Sequence, residues 1–540
     1  MSCRRRGTVA ATFVAAAISA VVAACGTTVP QAERVATFGS APAAEQGLGP
    51  PATVGTPAAG APSTSATDLV TVPQRLPPVA GLPPASTGSG RTPPGPTSSR
   101  AHPVGAPSST AAARLADGPG VTPTTISIGL LYSGNTQSAN AALGANVSST
   151  DAKADATAYI NYLNAHGGFG GRKVVLEADD ISSSSTEPAS QIATDACTFF
   201  TQDHHVFAVI YEVLAISVQT TFNSCLAKAG VLPLGATTAV LGDQDFAAVP
   251  TYLDTVTYTA QGAMRNLVDS FARTGYLTTR WDTGNGRAGG ALPVKLGVLY
   301  PDVPSWSDAI NHILLPALST LGVPVASNDV VSVTFPNTTS DDGALVSQIQ
   351  AAVLKFRADN VTDVIPAEVN TLAFFAAGAD PQGYRPRYAL TSANEAAEGV
   401  RSGIVPARQL TGATGVGWLP ALDLANPGQY RPPGRPACLA VMNAAGLTFA
   451  DAFAEGTPMS ECDQLGLLKR AVDGLGAARA VTAPAVAAAI EHGFPGFASA
   501  EVIGGSFTPT RHYQTAQGWL YSYDPSCSCM AYTSAAFPLR

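Results

Sequence analysis

The chain has 540 residues, with 38 Asp and Glu against 30 Lys and Arg, for a formal net charge of -8 at pH 7. At roughly 150 residues per domain this length holds three or four units, and the acidic balance excludes the basic face that a nucleic-acid binder shows. Hydrophobic residues make up 46% and charged residues 13%. That excludes disorder over the whole length, and because the one long apolar stretch lies at the N-terminus, an integral membrane protein is excluded as well.

In chain order, Arg4, Arg5 and Arg6 form a basic start and an apolar run follows from Thr8 to Ala24. This is the pattern of a secretory signal peptide over residues 1–24. The run ends in Val22-Ala23-Ala24-Cys25-Gly26, which resembles a bacterial lipobox and makes Cys25 the expected lipidation site. An ordinary signal peptide beside an unrelated Cys is the alternative. Residues 26–120 hold 17 of the 42 prolines, and the remainder is mainly Ala, Gly, Ser and Thr with no lasting hydrophobic period. Such a stretch buries too little apolar surface to offset chain entropy. Residues 25–120 are therefore expected to be a disordered tether behind a lipidated Cys.

Of eight cysteines, the signal segment removes Cys3 and lipid would consume Cys25. Cys197, Cys225, Cys438, Cys462, Cys527 and Cys529 remain, an even set in an exported chain, which favours disulfides. Sequence proximity suggests Cys197–Cys225, Cys438–Cys462 and Cys527–Cys529. Cys527-Ser528-Cys529 is too tight for a zinc pair.

The folded body starts near residue 122. Thr125–Tyr132 reads as a buried strand ending in the turn Ser133-Gly134-Asn135. Asp151–Ala165 carries Ala154, Ala158, Tyr162 and Ala165 on one helical face and stops at Gly167-Gly168-Phe169-Gly170-Gly171. Strands follow at Lys173–Ala178, Val206–Ile210 and Val231–Leu234, separated by helices at Pro188–Thr201 and Ser217–Ala229. The alternation restarts with a helix at Arg265–Thr274 and a strand at Val294–Tyr300, and runs on to Tyr388–Thr391. Strict alternation predicts parallel sheets covered on both faces. Two such units in tandem predict two lobes with a cleft at the carboxyl ends of the strands.

Residues Val121–Asp180 resemble the opening of the leucine/isoleucine/valine-binding protein family, extracytoplasmic solute receptors of ABC importers. The likeness rests on the Ser-Gly turn after the first strand, on Tyr159-Ile160-Asn161-Tyr162-Leu163-Asn164-Ala165-His166-Gly167-Gly168-Phe169-Gly170-Gly171-Arg172-Lys173, and on Asp179-Asp180 closing the next strand. Lys228–Thr237 and Phe374–Tyr388, with Gly383-Tyr384-Arg385-Pro386, are similar to two further family segments. The resemblance covers residues 122–395 well and 396–540 loosely. It implies an α/β fold of two Rossmann-like lobes with parallel sheets joined by a multi-crossing hinge, the type I periplasmic binding protein. The implied division is 121–257 plus 394–508 for one lobe and 258–393 plus 509–540 for the other. Hinges are expected near Val256–Ala260, Thr391–Glu395 and Phe507–Tyr513.

The same resemblance implies ligand-binding roles for Ser133, Gly134, Ala236, Thr237, Trp306 and Glu368. Ser133 and Gly134 would offer a hydroxyl and a backbone N–H, Ala236 and Thr237 a carbonyl and a hydroxyl, Trp306 a ring, and Glu368 a carboxylate for an ammonium. Where the family has a Gly/Cys-rich run ending in two Ser, this chain has Tyr211-Glu212-Val213-Leu214-Ala215. Glu212 thus replaces hydroxyls with a carboxylate and points to a cationic or amide-like group there. Each residue also has a structural alternative. Ser133-Gly134 can be only a turn, Thr237 a helix cap, Trp306 core and the glutamates solvated loop acids. Asp179-Asp180 reads as structural, and His204-His205 lacks metal spacing.

The implied function is capture of a small polar molecule, amino-acid-like, amide or related, in an interlobe cleft. Its partners would be that ligand, an ABC permease and the membrane through the lipid. No cofactor, metal or nucleic acid is expected. The alternative is a lipoprotein that senses a ligand and signals to a membrane partner without transport. An enzyme is not expected: G-x-S-x-G, H-E-x-x-H and Walker sequences are absent from the chain, and Gly412–Gly417 does not match the dinucleotide fingerprint.

Overall fold

The computed structural model describes residues 116–540 except 138–147, 183–186, 213, 239, 339–340, 429, 477–478 and 495. The expected signal segment, Cys25 and almost all of the expected tether lie outside the described residues. Gly118 already donates to the Val481 carbonyl at 2.8 Å, so the folded part includes the last residues before 122.

The first sheet is built from β1 (Thr125–Tyr132), β2 (Lys173–Asp180), β3 (Ala208–Tyr211), β4 (Leu232–Gly235) and β5 (Leu253–Asp254), in the order β2-β1-β3-β4-β5. All four pairings are parallel, with Leu130 opposite Ala178 on one side and Ile210 on the other. Every residue of β3 and β4 is buried, as a strand with helices on both faces requires. Helix Ala152–Ala165 is started by the Asp151 side chain, which accepts from the Ala154 N–H. It ends at a glycine turn whose geometry demands glycine: a Cβ at Gly168, with φ +62°, would run into the Arg172 carbonyl. Helix Ala189–Thr198 continues into a wider π turn over Phe199–Asp203.

A hairpin of β6 (Trp281–Asp282) and β7 (Arg287–Ala288) precedes the second sheet. That sheet contains β8 (Leu296–Pro301), β9 (Val330–Val333), β10 (Asp363–Pro366), β11 (Arg387–Thr391), β12 (Thr414–Gly417), β13 (Gln517–Asp524) and β14 (Cys529–Tyr532). Their order is β14-β13-β12-β11-β10-β8-β9, with β15 (Phe537–Pro538) added beside β13. Strands β9-β8-β10-β11-β12 are parallel and repeat the order of the first sheet, and β13 and β14 close the edge antiparallel. The molecule is thus two doubly wound α/β units of one topology, as the alternation of elements predicts.

One boundary differs. Residues 394–508 were expected in the first lobe, yet β12 pairs with β11 and belongs to the second sheet. The chain returns only afterwards: helices Gly456–Leu475 and Ala483–Glu491 bury Leu465, Leu468, Val486 and Ile490 against Ile128, Ile210 and Leu234 of the first sheet. The expected crossing at Thr391–Glu395 is therefore displaced to between Gly417 and Gly456. β12 reads Thr-Gly-Val-Gly, with two glycines and little β-propensity, so its pattern does not announce a strand.

The other two crossings run side by side. Asp254 bridges to Tyr513, its N–H donates to the His512 carbonyl and its carbonyl accepts from the Gln514 N–H, each at 3.0 Å. The buried Asp254 carboxylate accepts from the backbone of Val256 and Thr257 at 2.9 and 2.8 Å and from the Tyr252 hydroxyl at 2.6 Å. One side chain thus fixes the start of the crossing. Disulfides join Cys197–Cys225, Cys438–Cys462 and Cys527–Cys529, the pairs that proximity suggests. The first ties helix Ala189–Thr198 to helix Ile216–Lys228, and the second ties Arg435–Ala444 to Gly456–Leu475.

Candidate functional site

In sheets wound in this order, ligands sit at the carboxyl ends of the strands where the winding reverses. In the first sheet that point lies between β1 and β3, and the residues after them are Ser133 and Glu212. In the second it lies between β8 and β10, followed by Trp306 and Glu368. A cavity of about 230 Å³ lies between the sheets, lined from the first side by Thr136, Glu212, Ala236 and Thr238 and from the other by Glu395, Leu419 and Leu422. Phe453, Thr457, Ser460 and Glu501 close it. Two smaller cavities flank it. One of about 70 Å³ shares Glu212 with it and adds Ser133, Glu461 and Gln464; the other, of about 140 Å³, shares Glu395 and adds Trp306 and Glu368. Glu212 and Glu395 thus stand at the two junctions of the central cavity.

The expected residues divide. Glu212 and Ala236 line the central cavity and Ser133 lines its first neighbour. Gly134 is exposed and donates its N–H to Asp180 at 2.8 Å, which makes it part of the turn; Asp180 also accepts from the Ser182 N–H, so the acidic pair closing β2 serves structure. Thr237 is buried away from the cleft. Its N–H donates to Asp254 at 3.2 Å and its hydroxyl accepts from the Gln219 amide at 3.3 Å. The cleft position is taken by Thr238, one residue on, because the chain leaves its strand alternation after Gly235. Trp306 is fully buried in the hydrophobic core and only borders the outer cavity.

Glu368 borders the same cavity, but its carboxylate is engaged by its own chain. It is the N-cap of helix Val369–Ala379 and accepts from the backbone of Asn370 and Thr371, each at 2.9 Å, and from the Asn370 amide at 3.1 Å. The turn hydrogen bonds that a bound ammonium would replace are already made.

The cavity-lining residues that sequence reading missed include Thr238, Glu395, Glu461, Gln464 and Glu501. Glu395 has φ +47°, unusual for a residue with a side chain. Such strain collects at functional sites. Glu461 lies in the interior of helix Gly456–Leu475 within the polar run Ser460-Glu461-Cys462-Asp463-Gln464. A polar run in the middle of a long helix is the signal that could have exposed it.

Burial dominates the electrostatics. It pushes the carboxyl of Glu212 up to about 7, against the Thr457 and Ser460 hydroxyls that favour ionisation. Glu395 is raised to about 7 by burial, opposed by the Thr238 hydroxyl, and Glu501 to about 8 by burial, opposed by Arg435. Asp155 is raised to about 6 by burial. Glu461 lies well above the usual carboxylate range, through burial first and then the nearby Glu212, Asp155 and Asp151 charges. Among the described residues no group of three or more His, Cys, Asp or Glu is placed to hold a metal ion, and no helix is long and apolar enough to cross a membrane.

No protein-family model matches the chain, and no curated protein matches it. Many solved structures share the fold. A solute-binding protein of an ABC transporter from Rhodopseudomonas palustris BisB5, in complex with 3,4-dihydroxybenzoic acid, superposes with a TM-score of 0.53 at 12% identity, over 77% of this chain and 98% of that one. An extracellular ligand-binding receptor from Verminephrobacter eiseniae gives 0.51 at 14% identity, over 76% and 100%. A fatty acid ABC transporter substrate-binding protein from Thermomonospora curvata gives 0.50 at 15% identity, over 78% and 94%. The fold is that of the type I periplasmic binding proteins: two parallel α/β lobes joined by several crossings. These neighbours are named as binding proteins rather than enzymes.

Proposed function

We propose that this protein is an extracytoplasmic receptor that captures a small polar molecule between its lobes and delivers it to an ABC importer. The observation that carries the reading is the run of three adjoining cavities, walled by residues following the carboxyl ends of β1, β3 and β4 on one side and β8, β10, β11 and β12 on the other. A solute held there touches both lobes, so binding favours a closed form over an open one through differential contacts. The ligand set on this reading is Ser133, Glu212, Ala236, Thr238 and Glu395, with lobes hinged at the paired segments around Asp254 and Tyr513. A signal segment, lipid on Cys25 and the Pro-rich tether would hold the receptor outside the cytoplasmic membrane within reach of a permease.

A thermal-shift screen of the full chain against amines, amino acids, amides and aromatic acids tests this. A ligand present at 100 times its Kd stabilises the folded form by about 2.7 kcal/mol, and small-angle scattering should then show a smaller radius. A screen in which no compound raises Tm defeats the receptor reading.

A further inference from the structure

Around the smaller cavity that shares Glu212, the described atoms left without partners are carboxylate and amide oxygens together with the Thr150 hydroxyl. Both carboxylate oxygens of Glu461, one of Glu212, one of Asp155 and the amide oxygen of Gln464 are buried and have no hydrogen-bond partner. Glu461 is 1% exposed and its side chain lines the smaller cavity beside Glu212. Gln464 cannot supply the missing donor, because its amide nitrogen already donates to the carbonyls of Tyr211 and Leu234, at 3.2 and 2.9 Å. The Tyr211 hydroxyl donates to Asn223 at 2.8 Å. Among the described residues the site is therefore rich in acceptors, with hydroxyls such as Thr150 and Thr457 as its donors, and leaving the remaining oxygens unsatisfied in a dry pocket is costly.

Charge gives the same answer. The described lining of the three cavities includes Glu212, Glu368, Glu395, Glu461 and Glu501 and no Lys or Arg. Arg435, the cation that acts on Glu501, is tied to Glu455 at 2.9 Å and to the Ala452 carbonyl at 2.9 Å. The charges that act on Glu461 are acidic: Asp151 and Asp155 at the start of helix Ala152–Ala165, and Glu212 after β3. An ammonium brings three donors, no acceptor and one positive charge, which meets every shortage at once. Leu419, Leu422 and Phe453 provide an apolar wall in the adjoining cavity.

We propose that the solute is an organic cation whose protonated amine is held by Glu212, Glu461 and Gln464 while its carbon chain lies along Leu419, Leu422 and Phe453. The inference rests on the receptor reading and narrows it to one chemical class. Because burial favours the protonated carboxyl at both Glu212 and Glu461, the arriving ammonium displaces protons to solvent. Affinity then rises with pH through neutrality, as more of the cluster is already ionised, until the amine itself begins to lose its proton.

The test is titration calorimetry of the full chain with putrescine and spermidine, beside 1,4-butanediol, succinate, 3,4-dihydroxybenzoate, leucine and calcium chloride. Repeating it in buffers of different ionisation enthalpy counts the protons released. The amines should bind with net proton release and about tenfold more tightly at pH 8 than at pH 6, as expected for a carboxyl titrating near 7. Glu212→Gln and Glu461→Gln should each weaken amine binding at least tenfold and reduce the proton release, with Tm retained at pH 7. Binding of succinate, dihydroxybenzoate or leucine without binding of the amines overturns the inference and leaves the receptor intact. Calcium competing with the amines for the cluster would also overturn it, by showing an inorganic cation site. Binding of no compound in the screen above removes both readings together.

Discussion

The two halves of this molecule repeat one winding order, and each places a glutamate just beyond its third strand, yet the two glutamates have different fates. Glu368 follows β10 and is at once the cap of helix Val369–Ala379, whose first N–H groups occupy its carboxylate. Glu212 follows β3, but the next helix starts only at Ile216, with Ala215 at its cap. The spacing between strand and helix decides whether the acid is used by the fold or left to face the cavity. Both fates occur in each half: in the first, Asp254 is fully engaged, and in the second one oxygen each of Asp423 and Glu398 has no hydrogen-bond partner. In the second, Asp363 is paired with Arg387 at 2.8 Å, and Asp423 accepts from Ser392 at 2.8 Å and Tyr532 at 2.6 Å. In the first, Glu461 and one oxygen of Glu212 have no such partner.

The sharpest way to break this comparison is to remove a partner in the second half. Arg387 is 4% exposed, pairs with the fully buried Asp363, donates to the Tyr276 carbonyl and lies 4.5 Å over the Tyr276 ring. Arg387→Ala leaves an uncompensated buried acid and should destabilise the protein by about 3–5 kcal/mol in urea unfolding. A loss below 1 kcal/mol would show that the acids of the second half do not depend on their partners.

A smaller effect separates capping from binding. Glu368→Ala leaves the N–H groups of Asn370 and Thr371 without acceptors and should cost about 1–2 kcal/mol. Amine affinity, measured beside it, should change less than threefold. A tenfold loss of affinity with unchanged Tm would instead return Glu368 to the ligand, as the family resemblance implies.

The strands were legible because parallel strands buried on both faces read as continuous apolar runs: β1 occupies the residues expected for it, and β11 ends at the expected Thr391. The pairing of the cysteines followed from their spacing. Glu212 was legible as a departure from the pattern it otherwise matches. What escaped depends on contacts distant in the chain. Glu461 meets Glu212 only because helix Gly456–Leu475 returns from the second half to cover β3. Thr238 rather than Thr237 faces the cleft because the strand period ends one residue earlier. The two glycines of β12 hid a strand, and with it the true point of return.

Buried acids of both halves give stability the same dependence on pH, and Glu212 offers the finest test of it. The carboxyl of Glu212 moves from the ordinary glutamate value of about 4.3 to about 7 on folding, through burial and the Asp155 charge. A group raised in the folded state stabilises fully below its unfolded value, and that contribution is lost as pH climbs through its folded value. The empty protein should therefore melt at a lower temperature at pH 8 than at pH 5.5, since Glu395, Glu501, Asp423 and Asp463 are raised in the same direction. Glu212→Gln removes one term of that slope. It should match the wild type only near pH 4 and lose less stability than the wild type between pH 5.5 and pH 8, by on the order of 2 kcal/mol, because about 1.4 kcal/mol accompanies each tenfold change in proton affinity. Spermidine at pH 8 should lift the wild type toward the variant, with the bound amine supplying the charge that the empty pocket lacks. Parallel pH profiles for the two proteins would show that Glu212 is solvated in the native state; Glu368, which burial also raises to about 7, differs from it in hydrogen-bond partners and not in the direction of its shift.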